Sequence, residues 1–343
     1  MAQSFVIIGA GAIGCHVGGL LAAAGADVVF VARGARHEAL ARRGLVVGDI
    51  DGRETALSPH RYRVATTVPE AAALAGADPF LILCTKGGAT MDAAGEAGRA
   101  FAAGTPILSL QNGVDNGARI RAAAPGLVAL AGMVPFNVTL DPDANGRLVA
   151  RRTTSGVLHA EDHASTRAIA PVFDRAGLPL HCVADMTSVQ WGKLLLNLNN
   201  PVNALSGLPL REELMDRDHR RVLALLQDEA LAAMKAAGIH PAKVGAAPPR
   251  LIPFILRLPT WAFARIAAGM LTIAPTARSS MADDVAAGRP TEIDDLSGAV
   301  VRLAEARGGK APANARVAAL VKRHRPDLRM TGAELLRHVS AAR

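Results

Sequence analysis

The chain has 343 residues, half of them hydrophobic and 20% charged, which excludes a disordered, collagen-like or disulfide-stapled miniature protein and points to about two globular domains. Lysine and arginine (38) outnumber aspartate and glutamate (30) for a net charge of +8, but the basic residues are scattered and aromatics make up only 3%. No nucleic-acid partner is called for, and a small anionic ligand accounts for the sign equally well.

Residues 5–9 (FVIIG) have the composition of a buried strand, residues 12–25 that of an Ala/Leu-rich helix stopped by Gly25, and residues 27–33 (DVVFVAR) that of a second strand. Together they make one βαβ unit. Apolar runs at 80–85 (FLILCT), 106–110 (PILSL) and 127–131 (LVALA), separated by helical stretches, continue the alternation and predict an α/β fold with a doubly wound, mostly parallel sheet. From Met186 onward the pattern is helical and carries no convincing strand, so an all-α domain is expected to begin near residue 185.

Two apolar stretches mimic membrane segments. Phe5–Val31 lacks a basic leader and is interrupted by glycines and Asp27, which argues against a signal peptide. Leu251–Ile273 contains Pro253, Arg257, Pro259 and Arg265, and each arginine at mid-bilayer would cost about 2.5–3.5 kcal/mol. A pair of short amphipathic helices under a protein surface is expected there instead, with no membrane partner. Cys15, Cys84 and Cys182 are odd in number and far apart; this suits a reducing, cytoplasmic compartment and gives neither a disulfide framework nor a metal site.

Gly9-Ala10-Gly11-Ala12-Ile13-Gly14 is a GxGxxG between a predicted strand and a predicted helix. In that setting Gly9 permits the tight turn, Gly11 lets the backbone approach a pyrophosphate, and Gly14 lets the helix pack closely on the strand. A glycine-rich turn without a ligand is the competing interpretation. The second strand ends in Phe30-Val31-Ala32-Arg33, with no acid to accept from a ribose 2′-hydroxyl; Arg33 would pair with a 2′-phosphate, favouring NADP over NAD, unless it is an ordinary solvated arginine. Lys86 and Asn112 follow further strands, at the sheet edge where ligands sit in open α/β folds. Either could equally be loop chemistry.

In Trp191–Pro201, an apolar helix carries a polar stripe. At 100° per residue Asn197 and Asn200 fall on the face of Lys193, whereas Asn199 points away, and Pro201 should kink or end the helix beside them. Such a stripe needs a ligand or a polar contact with another helix. Ser280…Asp283 and Thr291…Asp294 have capping-box spacing at two further helix starts.

These motifs in this order, from GAGAIG and VAR through CTK, QNG and WGKLLLN to ARSSMADDV and RPTEID, are those of a known family: the chain resembles the ketopantoate reductases (2-dehydropantoate 2-reductases), relatives of the 6-phosphogluconate-dehydrogenase-like enzymes, over almost its whole length. The resemblance implies an NADP-binding Rossmann-type domain over 1–184 and a helical substrate and catalytic domain over 185–343. It implies NADPH-dependent reduction of 2-dehydropantoate to (R)-pantoate in pantothenate synthesis, with Lys193 as proton donor. Asn197 and Ser280 are implied as substrate contacts, Asn112 as the cofactor–substrate junction, and Glu292 as a carboxylate at the site. The implied partner is a small 2-keto acid; a homodimer is left open.

Two departures stand out. The family commonly places a second asparagine eight residues after the lysine, followed by proline, whereas Asn200-Pro201 comes one residue early; and Ala277 stands where the family often has an asparagine. The rival expectations are an NADP-dependent reductase of another 2-keto or 3-hydroxy acid, and a non-catalytic NADPH sensor, against which Lys193 and Asn197 on one face weigh.

Overall fold

The structure is a computed structural model that describes residues 3–245, 247–268, 276–324 and 329–341. The chain divides into two compact units, Met1–Met186 and Thr187–Arg343.

The first unit opens with β1 (Ser4–Ile8), α1 (Ala12–Ala23) and β2 (Asp27–Val31), followed by α2 (Gly34–Arg43), β3 (Leu45–Gly48), β4 (Glu54–Leu57), β5 (Arg63–Ala65) and α3 (Val68–Leu74). It continues with β6 (Phe80–Leu83), α4 (Thr90–Ala100), β7 (Pro106–Ser109), α5 (Asn116–Ala123) and β8 (Val128–Met133), and closes with β9 (Val138–Pro142), β10 (Leu148–Arg152), β11 (Leu158–Glu161), α6 (Ala164–Arg175) and β12 (Leu180–Val183). Eight strands form one sheet in the order β12-β11-β8-β7-β6-β1-β2-β5. Its pairs are parallel except β8 with β11. Successive residues of the central strands enter opposite cores: Phe5, Ile7, Phe30 and Ile82 lie on one face, Val6, Ile8, Val29 and Leu81 on the other. Burial on both faces explains why these strands are continuous apolar runs rather than alternating ones.

A second sheet, in the order β4-β3-β10-β9, is absent from the sequence-based expectation. Its strands have four or five residues, and β3 pairs in parallel with β10 in a register that sets Leu45 opposite Leu148. A partnership across about a hundred residues leaves no local periodicity to detect. Helix α1 contacts strands of both sheets, and the buried His16 sets its Nδ1 3.3 Å from the Ala150 carbonyl.

The helical unit contains α7 (Met186–Asn197), which begins one residue before the division, then α8 (Asn199–Ser206), α9 (Leu210–Met215), α10 (Arg217–Ala236), α11 (Ile252–Arg257) and α12 (Thr260–Ile266). It ends with α13 (Ser280–Ala286), α14 (Ser297–Glu305), α15 (Pro312–Arg323) and α16 (Gly332–Ser340). No strand occurs here among the described residues. The long α10 packs against α11, α14 and α16, presenting Val222, Leu223, Leu226 and Met234 to the interior.

Short helices do occupy the start of the 251–273 stretch, whose last residues lie outside those described. They are not covered as expected: Leu251, Phe254, Trp261 and Ile266 are all more than half exposed. The bend between α11 and α12 is instead pinned from within by the buried Arg220, which donates to the carbonyls of Leu214 (2.8 Å), Leu256 (3.1 Å) and Leu258 (3.0 Å) and stacks over Phe263. No helix among the described residues is long and apolar enough to cross a membrane.

Candidate active site

In the first unit, β1 delivers Gly9 at the carboxyl edge of the sheet, at the point where the strand order turns from β2 on one side to β6 on the other. Such a switch point opens a crevice for a ligand. Gly9 has φ +105°, and a β-carbon there would stand 2.8 Å from the Thr85 backbone nitrogen. At Gly14 a β-carbon would stand 2.1 Å from the Gly9 carbonyl oxygen, so the first turn of α1 rests directly on the loop. Gly11 differs: nothing lies within 4 Å of the position its β-carbon would take. It is the N-cap of α1 in extended conformation, with no side-chain cap. Ala10 is buried behind it, whereas Ala12 and Ile13 open the helix half-buried. The empty space over Gly11, beside uncapped helix N–H groups, fits a dinucleotide pyrophosphate.

Arg33 is the N-cap of α2, directly beyond β2. Its side chain is 71% exposed, 3.7 Å from Glu96, and its Nε donates to the Thr66 carbonyl at 3.4 Å, leaving the guanidinium accessible at the sheet edge. Lys86 is exposed and caps a short 3-10 turn, Gly87–Ala89, after β6. Asn112 is half-buried in the loop after β7.

The two loops carrying Lys86 and Asn112 are tied together by a network centred on Gln111, a residue that the sequence analysis does not single out. Gln111 Nε2 donates to the Thr85 carbonyl (2.8 Å) and to Thr90 Oγ1 (2.9 Å), and its Oε1 accepts from Ser109 Oγ (2.9 Å). Thr90 Oγ1 donates to Asn116 Oδ1 (3.1 Å), and Asn116 Nδ2 donates to the Asn112 carbonyl (2.7 Å). A glutamine directly before an Asn-Gly pair at a strand end was the available signal. Burial holds the thiols of Cys15, pushed up to about 12, and of Cys84 in the neutral form, so neither is an anionic nucleophile or ligand. Among the described residues no group of three or more His, Cys, Asp or Glu side chains could hold a metal ion.

In the helical unit, Lys193 and Asn197 lie one turn apart on α7. Burial pushes the Lys193 ammonium down to about 8, because a charge removed from water is disfavoured. Helix α7 ends at Asn197 and α8 starts at Asn199, the interruption expected from Pro201, which has no N–H for the Asn197 carbonyl. The Leu195 carbonyl is taken up by Gln227 Nε2 of α10 at 2.9 Å, and Leu198 N donates to Leu194 O at 2.9 Å.

Leu198, between the two helices, keeps right-handed helical dihedrals (φ −62°, ψ −11°) as well as its bond to Leu194, so the backbone passes from α7 into α8 close to helical phase. Asn199, expected to point away, donates to Glu213 Oε2 at 3.1 Å. Burial raises the Glu213 carboxyl to about 8, making it chiefly a neutral acid at pH 7. Asn203 and Glu213, both fully buried, were not singled out from the sequence; the available signal was a fourth asparagine in NLNNPVN.

The capping assignments also change. Ser279, not Ser280, caps α13: its Oγ accepts from Ala282 N at 3.2 Å. Ser280 is the exposed first residue of that helix. Thr291 starts no helix, since residues 293–296 are a turn and α14 begins at Ser297. Glu292 is half-buried before that turn, its carbonyl accepting from Asp295 N at 3.0 Å and Leu296 N at 3.2 Å.

Comparison with known proteins bears on the whole chain. Residues 5–158 match the model of the ketopantoate reductase PanE/ApbA family, and residues 185–325 match its C-terminal counterpart. A 2-dehydropantoate 2-reductase of Mesorhizobium japonicum is 29% identical, covering 94% of this chain and 97% of the relative; one of Pyrococcus horikoshii is 27% identical, covering 92% and 95%. The crystal structure of a PanE/ApbA family ketopantoate reductase from Ralstonia eutropha superimposes with TM-score 0.75 at 30% identity, covering 93% of this chain and 97% of that one. The chain belongs to the ketopantoate reductase family, and is an oxidoreductase of that type.

Proposed function

We propose that the protein reduces 2-dehydropantoate to (R)-pantoate with NADPH, in the synthesis of pantothenate. The observation that carries the proposal is Lys193: an ammonium pushed down to about 8 by burial, one helical turn from Asn197, is poised to give up a proton near neutral pH. A reduced nicotinamide cofactor held at the Gly9–Gly14 loop would supply hydride for the C2 carbonyl carbon. Lys193 donates its Nζ proton to the carbonyl oxygen, leaving a neutral amine, and its charge stabilises that oxygen as negative charge develops. Asn112, Asn197, Asn200 and Ser280 are assigned to hold the substrate carboxylate and hydroxyl, and Glu292 to orient the lysine or the substrate. Gly9, Gly11 and Gly14 shape the pyrophosphate cradle, with Ala10, Ala12 and Ile13 along its backbone and Lys86 at its rim.

The test is NADPH oxidation with a panel of 2-keto acids. The highest kcat/KM is expected for 2-dehydropantoate; no turnover of any panel member would refute the assignment. Ala277, in place of the family's frequent asparagine, favours a second reading in which a different 2-keto acid wins the panel.

Arg33 directs the choice of cofactor in this proposal. NADPH should bind about 10–100-fold more tightly than NADH, the magnitude of one charge-assisted contact. Arg33→Ala should narrow that gap without changing NADH affinity, as read by fluorescence titration of both cofactors. Equal affinities in the unaltered protein would sink the NADP assignment.

A further inference from the structure

Each polar atom of the buried Asn203 amide is committed. Its Oδ1 accepts from the Ser279 backbone N–H at 2.9 Å, and its Nδ2 donates to the Leu208 carbonyl at 3.0 Å and to Glu213 Oε2 at 3.1 Å. The same Glu213 oxygen accepts from Asn199. Ser279 Oγ donates in turn to the Asn200 carbonyl at 3.2 Å, and Leu210 N donates to the Ala277 carbonyl at 2.8 Å. The segment 277–280 is therefore fastened at three points to α8 and to the start of α9. At one end of these ties stands Ser280, and at the other the helix junction with Asn197, Asn199 and Asn200.

We infer that Asn203, oriented by Glu213, is a positioning residue that fixes the Ser279–Ser280 turn against the α7–α8 junction and so sets the spacing between Ser280 and Asn200. It touches no substrate in this scheme. Its effect on turnover rests on the proposed reduction of a keto acid; its effect on the turn does not. Removing one partner from a fully buried, fully used amide leaves the others without a partner, so the cluster should act as a unit. Glu213 can act as a neutral acceptor, because burial keeps its carboxyl protonated near pH 7. Glutamine should therefore replace it, whereas alanine should not.

The test uses the full chain and compares Asn203→Ala, Glu213→Ala and Glu213→Gln by steady-state kinetics with 2-dehydropantoate, NADPH titration and amide hydrogen exchange of residues 279–282. For both alanine variants KM for the acid should rise about tenfold, the effect of one lost buried contact, with kcat within about threefold and NADPH affinity unchanged. Exchange in the turn should quicken about tenfold. Glu213→Gln should keep both readouts close to the unaltered enzyme. An interior cluster that only stabilises the fold would lower the melting temperature yet leave KM of the folded enzyme unchanged, and that result overturns the inference. If Asn203→Ala does not fold, Asn203→Leu, close in volume but without the amide, should still raise KM and quicken exchange, and unchanged values in it overturn the inference. Should the unaltered protein fail to reduce 2-dehydropantoate, that failure belongs to the proposed function. The variants are then judged with whichever panel acid is turned over, and by exchange, where an unaltered turn in Asn203→Ala overturns the inference alone.

Discussion

Lys193→Ala should lower kcat for keto-acid reduction by about 100-fold or more, the usual contribution of a positioned general acid combined with loss of a charge facing the developing oxyanion. NADPH affinity should barely change, because the pyrophosphate is assigned to the glycine loop of the other unit. The unaltered enzyme should hold a steady kcat/KM below about pH 7 and lose about tenfold per pH unit well above 8, as the Lys193 proton departs from the free enzyme. The alanine variant should lack that fall. Stability should move in the opposite direction. The folded pKa is depressed from an ordinary 10.5 to about 8, so below pH 8 the burial penalty on the ammonium acts in full. Between about 8 and 10.5 the folded chain has released a proton that the unfolded chain retains, and stability rises with pH by at most about 3 kcal/mol. Lys193→Met should remove this rise and make the protein more stable at pH 7, by about 1–3 kcal/mol. Denaturant unfolding across pH, paired with single-turnover hydride transfer, measures both. Near-normal hydride transfer in Lys193→Ala would refute the proton-donor role.

Gly11 and Gly14, three residues apart, should respond to alanine in opposite ways. At Gly14 the new methyl would meet a backbone carbonyl at 2.1 Å, contact that only displacement of α1 or of the Gly9 turn can relieve. Gly14→Ala should therefore destabilise the protein by about 3 kcal/mol or more. At Gly11 the methyl enters open space, so the fold should tolerate it within about 1 kcal/mol. Yet that space is where a pyrophosphate is proposed to approach the backbone, and Gly11→Ala should weaken NADPH binding by about 30-fold or more. Melting temperature and cofactor titration on the two variants decide the matter: unchanged NADPH affinity in a folded Gly11→Ala would remove the pyrophosphate from this loop.

The βαβ opening was legible because its determinants are local: FVIIG, a helix with Gly11 at its start, and DVVFV form contiguous elements, and their burial on both faces matches their unbroken apolar character. The second sheet was not, since β3 pairs with β10 about a hundred residues away and such a partnership leaves no local pattern. Lys193 and Asn197 were recoverable from a helical wheel because α7 is continuous between them. Asn203 and Glu213 escaped because the polar stripe was read only as far as Pro201, and their contact joins two different helices, α8 and α9. In the case of Ser279 and Ser280, adjacent serines offer the same chemistry, and only backbone geometry decides which one caps.

The junction after Asn197 also bears on how chain length can vary here. In an unbroken helix, one residue more or fewer rotates everything downstream by about 100°, which would carry the interior face of α8 toward solvent. Leu198 keeps helical dihedrals (φ −62°, ψ −11°) and its bond to Leu194, so α8 inherits the phase of α7 rather than resetting it. A one-residue difference in the spacing from Lys193 to the Asn-Pro pair therefore falls on the ties that hold α8, above all the Asn203 amide on the Ser279 backbone, and the length of this stretch is constrained by contacts far along the chain.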